Sequence, residues 1–350
     1  MLSKLKIIDA SSVLAGPSVG TYFAELGAKV IKVEHPKYAD VTRTWKLPSE
    51  DSDAQVSAYF SSINYKKEYI TLDLKDKDDH AKFMKLIIDA DVLITNFKCG
   101  DDVKLNIEDK DLLATNPKLI IGKINGYGKN NERVAYDLIL QAETGFMSMN
   151  GTPNSGPVKM PIAMIDILAA HHLKEAILLA LLERTNTGKG KSVSVSLYDA
   201  ALSSLANQGS NYLMGNHIPQ RIGSLHPNIA PYGELFETSN NDLITFAIGS
   251  NTHFEKLCKT LKIEDLLLDK RFQQNQDRVI NRTELQKIIQ EKIKTRSTNE
   301  LLSKLKSLHV PVGKVKNLAE VFEDQKAKEL VRTEIIDGVE TSRVTSVVFK

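Results

Sequence analysis

The first third of the chain alternates between two hydrophobic periods, and this alternation constrains the fold more than any other feature. A short apolar run, "LKIIDAS" (5–11), precedes "GPSVGTYFAELGAKVIKVE" (16–34), in which a helix bounded by Pro17 and Gly27 leads into a second apolar run. The same order recurs in strand 69–74, helix 78–90, strand 91–97 and, after a short helix, strand 118–126. We therefore predict an α/β fold with a doubly wound, mainly parallel sheet.

The pattern changes in the second half of the chain. Residues 216–235 contain three prolines among turn residues, and 235–249 has the pattern of a β-hairpin. Helical, lysine-rich segments follow over about 252–308, and a last strand is predicted at 342–350. Because 350 residues exceed the usual size of one domain, we expect a second, smaller α+β domain to begin near residue 220.

Composition limits the classes of partner. A formal net charge of +2 gives no reason to expect nucleic acid as a partner. Cys99 and Cys258 are the only cysteines, so neither a disulfide framework nor a zinc site is predicted. The first residues lack the apolar core of a secretory signal, and no run of 18 apolar residues occurs. We expect a soluble, cytoplasmic protein without a membrane partner.

Several common motifs are absent or incomplete. The first strand–helix turn reads "LAGPS" and lacks G-x-G-x-x-G, which disfavours a nicotinamide dinucleotide site. "GKGKS" (188–192) lacks the first glycine of a P-loop and leads into a strand. His171 and His172 are adjacent, so they cannot form an i, i+4 metal pair, and no metal site is predicted. G-x-S-x-G, the serine-hydrolase elbow, is also missing.

One carboxylate stands out in the middle of the chain. "MPIAMIDILAAHHLKEAILLALLER" (160–184) reads as a buried helix, with Asp166 where its apolar run begins. A structural interpretation is that Asp166 caps the helix or lies in its first turn, near unpaired N–H groups. Further stretches of interest lie at the ends of predicted strands and in turns, and open α/β sheets bind their ligands beyond the carboxyl ends of the strands. These stretches are "LAGP" (14–17), "VIKVEH" (30–35), "YITLDL" (69–74), "NFKCG" (96–100) and "NGYG" (125–128).

Together, in this order, these blocks resemble the class III CoA-transferase family, which includes formyl-CoA transferase and carnitine CoA-transferase and is related to the α-methylacyl-CoA racemases. "LLERTNTGKGKSVSVSLYDAAL" and "GSLHPNIAPYGEL" extend the resemblance over nearly the whole chain. It implies a large Rossmann-like, CoA-binding domain over 1–215 that is rejoined by 330–350. A small domain over 220–315, a linker at 315–330 and an interlocked homodimer are also implied.

The resemblance implies an acyl-CoA:carboxylate CoA-transferase with Asp166 as its nucleophile. Attack of this carboxylate on a thioester would give an aspartyl mixed anhydride and free CoA thiolate. We expect helix N–H groups to lower the pKa of Asp166 and keep it ionised. The partners would be an acyl-CoA and an acceptor carboxylic acid, with the CoA thioester as substrate and no permanently bound cofactor.

The CoA contacts of the family fall on the strand-end blocks. His35 and Lys104 occupy positions near the phosphates, although a histidine does not keep its charge at neutral pH as a lysine does. The residues that match the CoA site are Leu14, Ala15, His35, Ile70, Thr71, Leu72, Asp73, Asn96, Phe97, Lys98, Lys104, Asn125, Gly126, Tyr127 and Gly128.

Two alternatives remain open on the sequence. The related racemases carry a His-Asp pair where this chain has Tyr136-Asp137, and tyrosine is a poor replacement for a histidine base. Tyr136 is therefore assigned to the substrate site of a transferase, while the length of the chain keeps α-methylacyl-CoA racemase as an alternative. A CoA-binding protein without catalytic activity is the second alternative, and the retained Asp166 argues against it.

Overall fold

The computed structural model describes residues 2–349, which form two compact units. Of the described residues, 2–149, 157–219 and 328–349 belong to the first unit, and 150–156 with 220–327 belong to the second. The second unit thus includes most of the segment 315–330 for which a linker was predicted, and this segment contains two short helices.

A six-stranded parallel sheet forms the centre of the first unit, as the alternating pattern predicts. Its strands are β1 (Lys6–Ala10), β2 (Lys29–Glu34), β3 (Lys67–Thr71), β4 (Val92–Thr95), β5 (Ile120–Asn125) and β6 (Lys191–Ser196). The order across the sheet is β3-β2-β1-β4-β5-β6, which is the order of doubly wound dinucleotide-binding sheets. The direction of strand connection reverses between β1 and β4, so a crevice is expected there, beyond the carboxyl ends of these strands.

Helices cover both faces of this sheet. The α-helices of the first half are α1 (Ala15–Glu25), α2 (Ala58–Ser62), α3 (Lys77–Ile88), α4 (Asp101–Lys104), α5 (Asp109–Thr115), α6 (Asp137–Glu143), α7 (Phe146–Met149), α8 (Met164–Thr187), α9 (Leu197–Ser203) and α10 (Ala206–Gly215). Side chains of α1 and α8, such as Phe23 and Ile177, join one buried core with Ile7 of β1. Phe83 of α3 joins the core on the opposite face with Ile8. Adjacent strand residues therefore enter opposite cores, which is why the central strand β4, with sequence VLIT, is buried at every residue.

The second unit has a core of its own. Strands β7 (Tyr232–Glu237), β8 (Leu243–Ala247) and β9 (Val312–Lys314) form an antiparallel sheet. The helices of the second half are α11 (Asn251–Leu261), α12 (Asn275–Ile280), α13 (Arg282–Ile293), α14 (Thr298–Ser307), α15 (Leu318–Phe322) and α16 (Gln325–Lys328). Phe236 and Phe246 of the sheet pack with Leu257 of α11 and Ile289 of α13 in this core.

The end of the chain differs from the sequence prediction. Instead of one strand at 342–350, an antiparallel hairpin pairs β10 (Val331–Ile336) with β11 (Val339–Val344). Its turn is Asp337-Gly338, and both residues have positive φ, at 48° and 80°. Asp-Gly between two strands is the usual signal of such a two-residue turn, and this signal was missed.

Among residues 2–349, no helix is long and apolar enough to cross a membrane.

Candidate active site

Asp166 lies in the first turn of α8, but another carboxylate closes the start of this helix. The N-cap residue, Ala163, offers no side-chain acceptor. Asp137, from the start of α6, accepts the N–H of Ile165 on its Oδ1 at 2.7 Å. Its Oδ2 accepts a hydrogen bond from Gln141 Nε2 at 2.6 Å. Asp166 is therefore left free of the capping role that the structural interpretation assigned to it.

Asp166 is a buried residue, only 8% exposed. Its carboxyl has no hydrogen-bond partner in the described part of the chain. Burial, and secondly the negative charge of Asp137, raises the pKa of Asp166 to about 7. The expectation of a lowered pKa was wrong, because loss of hydration outweighs the field of the helix N-terminus at this position. Near neutral pH, the protonated and ionised forms are both well populated.

A cavity of about 200 Å³ contains Asp166. It lies beyond the carboxyl ends of β1, β4 and β5, where the sheet order reverses. The structure brings nine predicted site residues together in its lining, namely Leu14, Ala15, Asn96, Phe97, Lys98, Asn125, Gly126, Tyr136 and Asp166. Arg133 and Cys99 also line it, and neither was predicted as a site residue.

A second cavity, of about 390 Å³, adjoins the first and shares Phe97, Lys98 and Asn125 with it. It adds Gly128 to the predicted residues that line a cavity, and it includes Lys123 and Lys129. The two cavities thus have part of their lining in common, and Lys123 in the second cavity pairs with Asp109 at 2.5 Å.

Seven predicted residues lie outside both linings. His35 and Asp73 form a pair with each other, with 3.5 Å between Nε2 and Oδ2. The ring Nδ1 of His35 accepts backbone N–H groups of Lys37 and Tyr38, which assigns the proton of a neutral ring to Nε2, facing Asp73. Ile70 and Thr71 end β3.

Of the remaining predicted residues, Leu72 is buried in the core that contains Phe83. Lys104 is exposed and pairs with Asp101 at 3.0 Å. The hydroxyl of Tyr127 donates to Glu143 at 2.7 Å, and Arg133 lies over the ring of Tyr127, 4.0 Å from its centroid.

Aromatic residues near Asp166 were not found from the sequence. Burial, followed by the charges of Asp166, Asp137 and Asp40, raises the pKa of Tyr59 to about 12. Trp45 packs edge-on against Tyr59, with ring centroids 5.2 Å apart. Both residues lie between β2 and β3, and no local pattern there relates Tyr59 to a carboxylate in the middle of the chain.

Comparison with known proteins identifies the family of the chain. Succinate–glutarate CoA-transferase of Agrobacterium fabrum is 36% identical over 329 residues, which cover 92% of this chain and 82% of that protein. The human succinyl-CoA:glutarate CoA-transferase is 33% identical over 326 residues, covering 92% and 73%. A crystal structure of a CAIB/BAIF family protein from Brucella suis matches with a TM-score of 0.85 and 36% identity, over 100% of this chain and 92% of that one. Residues 2–349 match the family model described as CoA-transferase family III, and the chain belongs to this family.

Proposed function

We propose that this CoA-transferase moves CoA from an acyl-CoA to a carboxylic acid through a mixed anhydride formed on Asp166. The observation that carries the proposal is the buried Asp166 carboxyl, which has no hydrogen-bond partner within residues 2–349 and lines the cavity at the reversal point of the sheet. A carboxylate in this state has lost much of its hydration and has a raised pKa, and both changes favour its reaction with an electrophile.

The chemistry balances without a metal or redox partner. An Asp166 oxygen attacks the thioester carbonyl carbon, a C–O bond forms, the C–S bond breaks, and the electron pair leaves with the CoA sulfur. The thiolate then attacks the activated Asp166 carbonyl and frees the donor acid, which leaves CoA on Asp166 as a thioester. The acceptor carboxylate attacks this thioester to form a second anhydride. The thiolate finally attacks the acceptor carbonyl and restores Asp166.

For the acceptor we propose a short dicarboxylic acid. Glutarate appears in the names of the relatives from Agrobacterium fabrum and human, and oxalate in that of a relative from Acetobacter aceti that is 32% identical. Lys98 and Arg133 line the Asp166 cavity and supply cations that suit a second carboxylate. Arg133 is also paired with Glu143, at 2.6 Å, so a substrate carboxylate would compete with this exposed pair.

For CoA we propose the extended space formed by the two cavities, together with the neighbouring strand-end residues. All the predicted residues remain proposed CoA contacts, including His35, Asp73 and Lys104, which lie outside the linings of both cavities. Lys98 is exposed and lines both cavities, and its ammonium charge suits either a phosphate or a carboxylate. The CoA thioester is proposed as a substrate and not as a resident cofactor.

We further propose a cytoplasmic homodimer. Leu179 and Leu182 of α8 and Leu213 and Met214 of α10 are exposed by 63% or more in the single chain. Large apolar side chains that are exposed in this way favour coverage by another protein surface, and a second copy of the chain would supply it. Both cysteines are free thiols, which suits a reducing compartment.

The test of the chemistry is to trap the activated carboxyl. During turnover with an acyl-CoA and an acceptor acid, hydroxylamine should convert Asp166 into a hydroxamate that peptide mass spectrometry locates. Asp166→Ala should abolish new thioester formation and leave folding and CoA binding intact. Asp199→Ala is the matched control, because Asp199 is an exposed acid in the first turn of α9. Normal turnover by Asp166→Ala would refute the assignment.

A further inference from the structure

The loop between β1 and α1, which we call the entry loop (residues 11–14), forms one wall of the Asp166 cavity and has an unusual backbone. Ser12, Val13 and Leu14 all line this cavity. Val13 has a φ of 71°, in the left-handed region that β-branched residues rarely adopt. Such a conformation persists only where the surrounding structure imposes it. The contacts that impose it therefore determine the shape of this wall.

Two charged side chains bind the backbone of the entry loop. Lys32 of β2 donates from Nζ to the carbonyl oxygen of Ser11 at 2.8 Å and to Asp40 Oδ2 at 3.0 Å. Asp40 in turn accepts the N–H of Val13, at 3.2 and 3.3 Å to its two oxygens. Lys32 and Asp40 thus bind the loop on both sides of Ser12, directly at the residue with positive φ.

A second buried pair fixes the start of the same loop. Asp9 of β1 accepts the N–H and the hydroxyl of Ser11 on Oδ1, and its Oδ2 accepts Lys67 Nζ at 2.8 Å. The pair packs directly against α1, because a Cβ at Gly20 would lie 2.8 Å from Asp9 Oδ2. Asp9, Lys32, Asp40 and Lys67 therefore form one buried group with two positive and two negative charges, which we call the charged cluster.

Asn96 completes the restraint from the other side. Its Oδ1 accepts the N–H of Ser12 at 3.0 Å and its Nδ2 donates to the Ser12 carbonyl at 2.8 Å. Asn96 lines the cavity, but the four residues of the charged cluster are not among the described residues that do so. The hydrogen bonds of the cluster therefore reach the cavity wall through the backbone of the entry loop.

Burial makes a purely stabilising role a poor explanation of the cluster. The side chains of Lys32 and Asp40 are 0% and 1% exposed, and those of Lys67 and Asp9 are 0% exposed. Buried ion pairs add little stability relative to apolar residues of similar volume, because removing the charges from water offsets their attraction. Their directional hydrogen bonds can instead select one backbone conformation among several.

We propose that Lys32, Asp40 and Asp9 are positioning residues that impose the left-handed conformation of Val13 and so shape one wall of the cavity that contains the reacting carboxyl. The inference rests on the proposed role of the Asp166 cavity. None of the three touches the reacting atoms, and their effect reaches the substrate through the backbone of the entry loop. Displacement of a cavity wall by about 1 Å is enough to lower a rate by about 10²-fold.

A double-mutant cycle between Lys32→Met and Val13→Gly tests the proposal on the full chain. Glycine adopts positive φ without strain, so it lessens the need for an imposed conformation. We expect Lys32→Met alone to lower kcat/KM for CoA transfer by about 10- to 10²-fold. In the Val13→Gly background, the same substitution should lower it only a few-fold. An equal loss in both backgrounds, or unchanged kcat/KM in Lys32→Met, would overturn the proposal.

Two further variants separate positioning from general destabilisation. If Lys32→Met does not fold, Asp40→Asn replaces it in the cycle, since it keeps the oxygen that accepts the Thr42 N–H and loses the charge that pairs with Lys32. Arg343→Met is the control, because it removes a similarly buried ion pair, with Glu25, away from the cavity. It should lower Tm without changing kcat/KM, and its effect should be independent of Val13→Gly.

The cycle and the trapping experiment fail separately. Absence of the hydroxamate would refute Asp166 as the nucleophile, whereas the coupling between positions 32 and 13 is measured on whatever CoA transfer the protein catalyses. A hydroxamate on Asp166 together with no coupling would leave the proposed function intact and remove the positioning role.

Discussion

Two carboxylates meet at the start of α8, and they have different tasks. Asp137 accepts hydrogen bonds from the Ile165 N–H and from Gln141, whereas Asp166 accepts none in the described residues. Asp166 is therefore the carboxyl whose ionisation is hindered, by burial first and by its neighbour second. The buried carboxyl is in place for reaction in the folded chain. Its ionisation at high pH lowers the stability of that chain.

The free-energy cost of ionising the buried Asp166 carboxyl predicts a pH-dependent effect of Asp166→Asn on stability. The pKa of Asp166 is about 7 in the folded protein and 3.8 in an unfolded chain. The contribution of the protonated carboxyl to folding stability is therefore complete below pH 3.8 and is lost as pH rises through 7. The neutral asparagine avoids that loss. We expect Asp166→Asn to be more stable than the natural protein by a few kcal/mol at pH 8, and by less at pH 5. Denaturant unfolding at both pH values measures this, and a difference independent of pH would contradict it.

Asp137→Asn should alter the pH dependence of activity. Removing the negative charge lowers the pKa of Asp166, while the amide oxygen can still accept the Ile165 N–H. If ionised Asp166 is the nucleophile, the acid limb of kcat/KM should move to lower pH. Asp199→Asn, which changes the charge by the same amount at an exposed position, should leave the limb in place. An unshifted limb in Asp137→Asn would show that another group controls it.

At the scale of elements, one arginine connects several segments of the second unit. Arg278 of α12 is 0% exposed. Its Nε donates to the carbonyl of Ala230 at 3.0 Å, and its terminal nitrogens donate to the carbonyl of Phe272 at 2.9 Å and to Asn251 Oδ1 at 2.8 Å. The three acceptors come from the loop before β7, the segment before α12 and the start of α11. The guanidinium carries five N–H donors on three nitrogens and can span these separated acceptors, whereas a lysine ammonium has three donors on a single atom.

Arg278→Lys should therefore destabilise the second unit, although lysine keeps the positive charge. Loss of two or more hydrogen bonds to a buried charged group predicts a fall of roughly 2–4 kcal/mol in the free energy of unfolding. Arg271→Lys is the control, because Arg271 is exposed and pairs only locally, with Asp269. Thermal unfolding and amide hydrogen exchange in residues 226–231 measure the effect. Equal stability of the two variants would show that Arg278 is not the main connection.

At the scale of the whole molecule, the proposed homodimer makes a direct prediction. The purified protein should scatter light as a particle of twice the 38.9 kDa chain mass. If the chains interlock, dilution to nanomolar concentration should not separate them, because separation would require partial unfolding. A monomer at micromolar concentration would contradict the dimer. Charge substitutions at the exposed Leu213 and Met214 of α10 should weaken assembly if these side chains are covered by the second copy.

The sequence determined the class of fold and the family. Alternating apolar periods predicted the parallel sheet, and β2 lies at the predicted residues, Lys29–Glu34. These predictions are confirmed because strand and helix periodicity are local properties. Ordered motif blocks identified the CoA-transferase family for the same reason, since each block is contiguous. The final hairpin also had a local signal in Asp337-Gly338, so it could have been predicted.

Only the tertiary structure decided the state of the charged groups. Lys32 has the sequence context of a solvated residue in "KVIKVE". In the structure its side chain is 0% exposed and donates hydrogen bonds to Ser11 and Asp40. Asp166 resembles a helix cap, yet Asp137, 29 residues earlier, closes the helix and the pKa of Asp166 is raised. Desolvation and hydrogen bonding depend on groups that are distant in sequence, and a local pattern carries no information about them. The sequence thus located the carboxylate, and the packing around it decided its protonation.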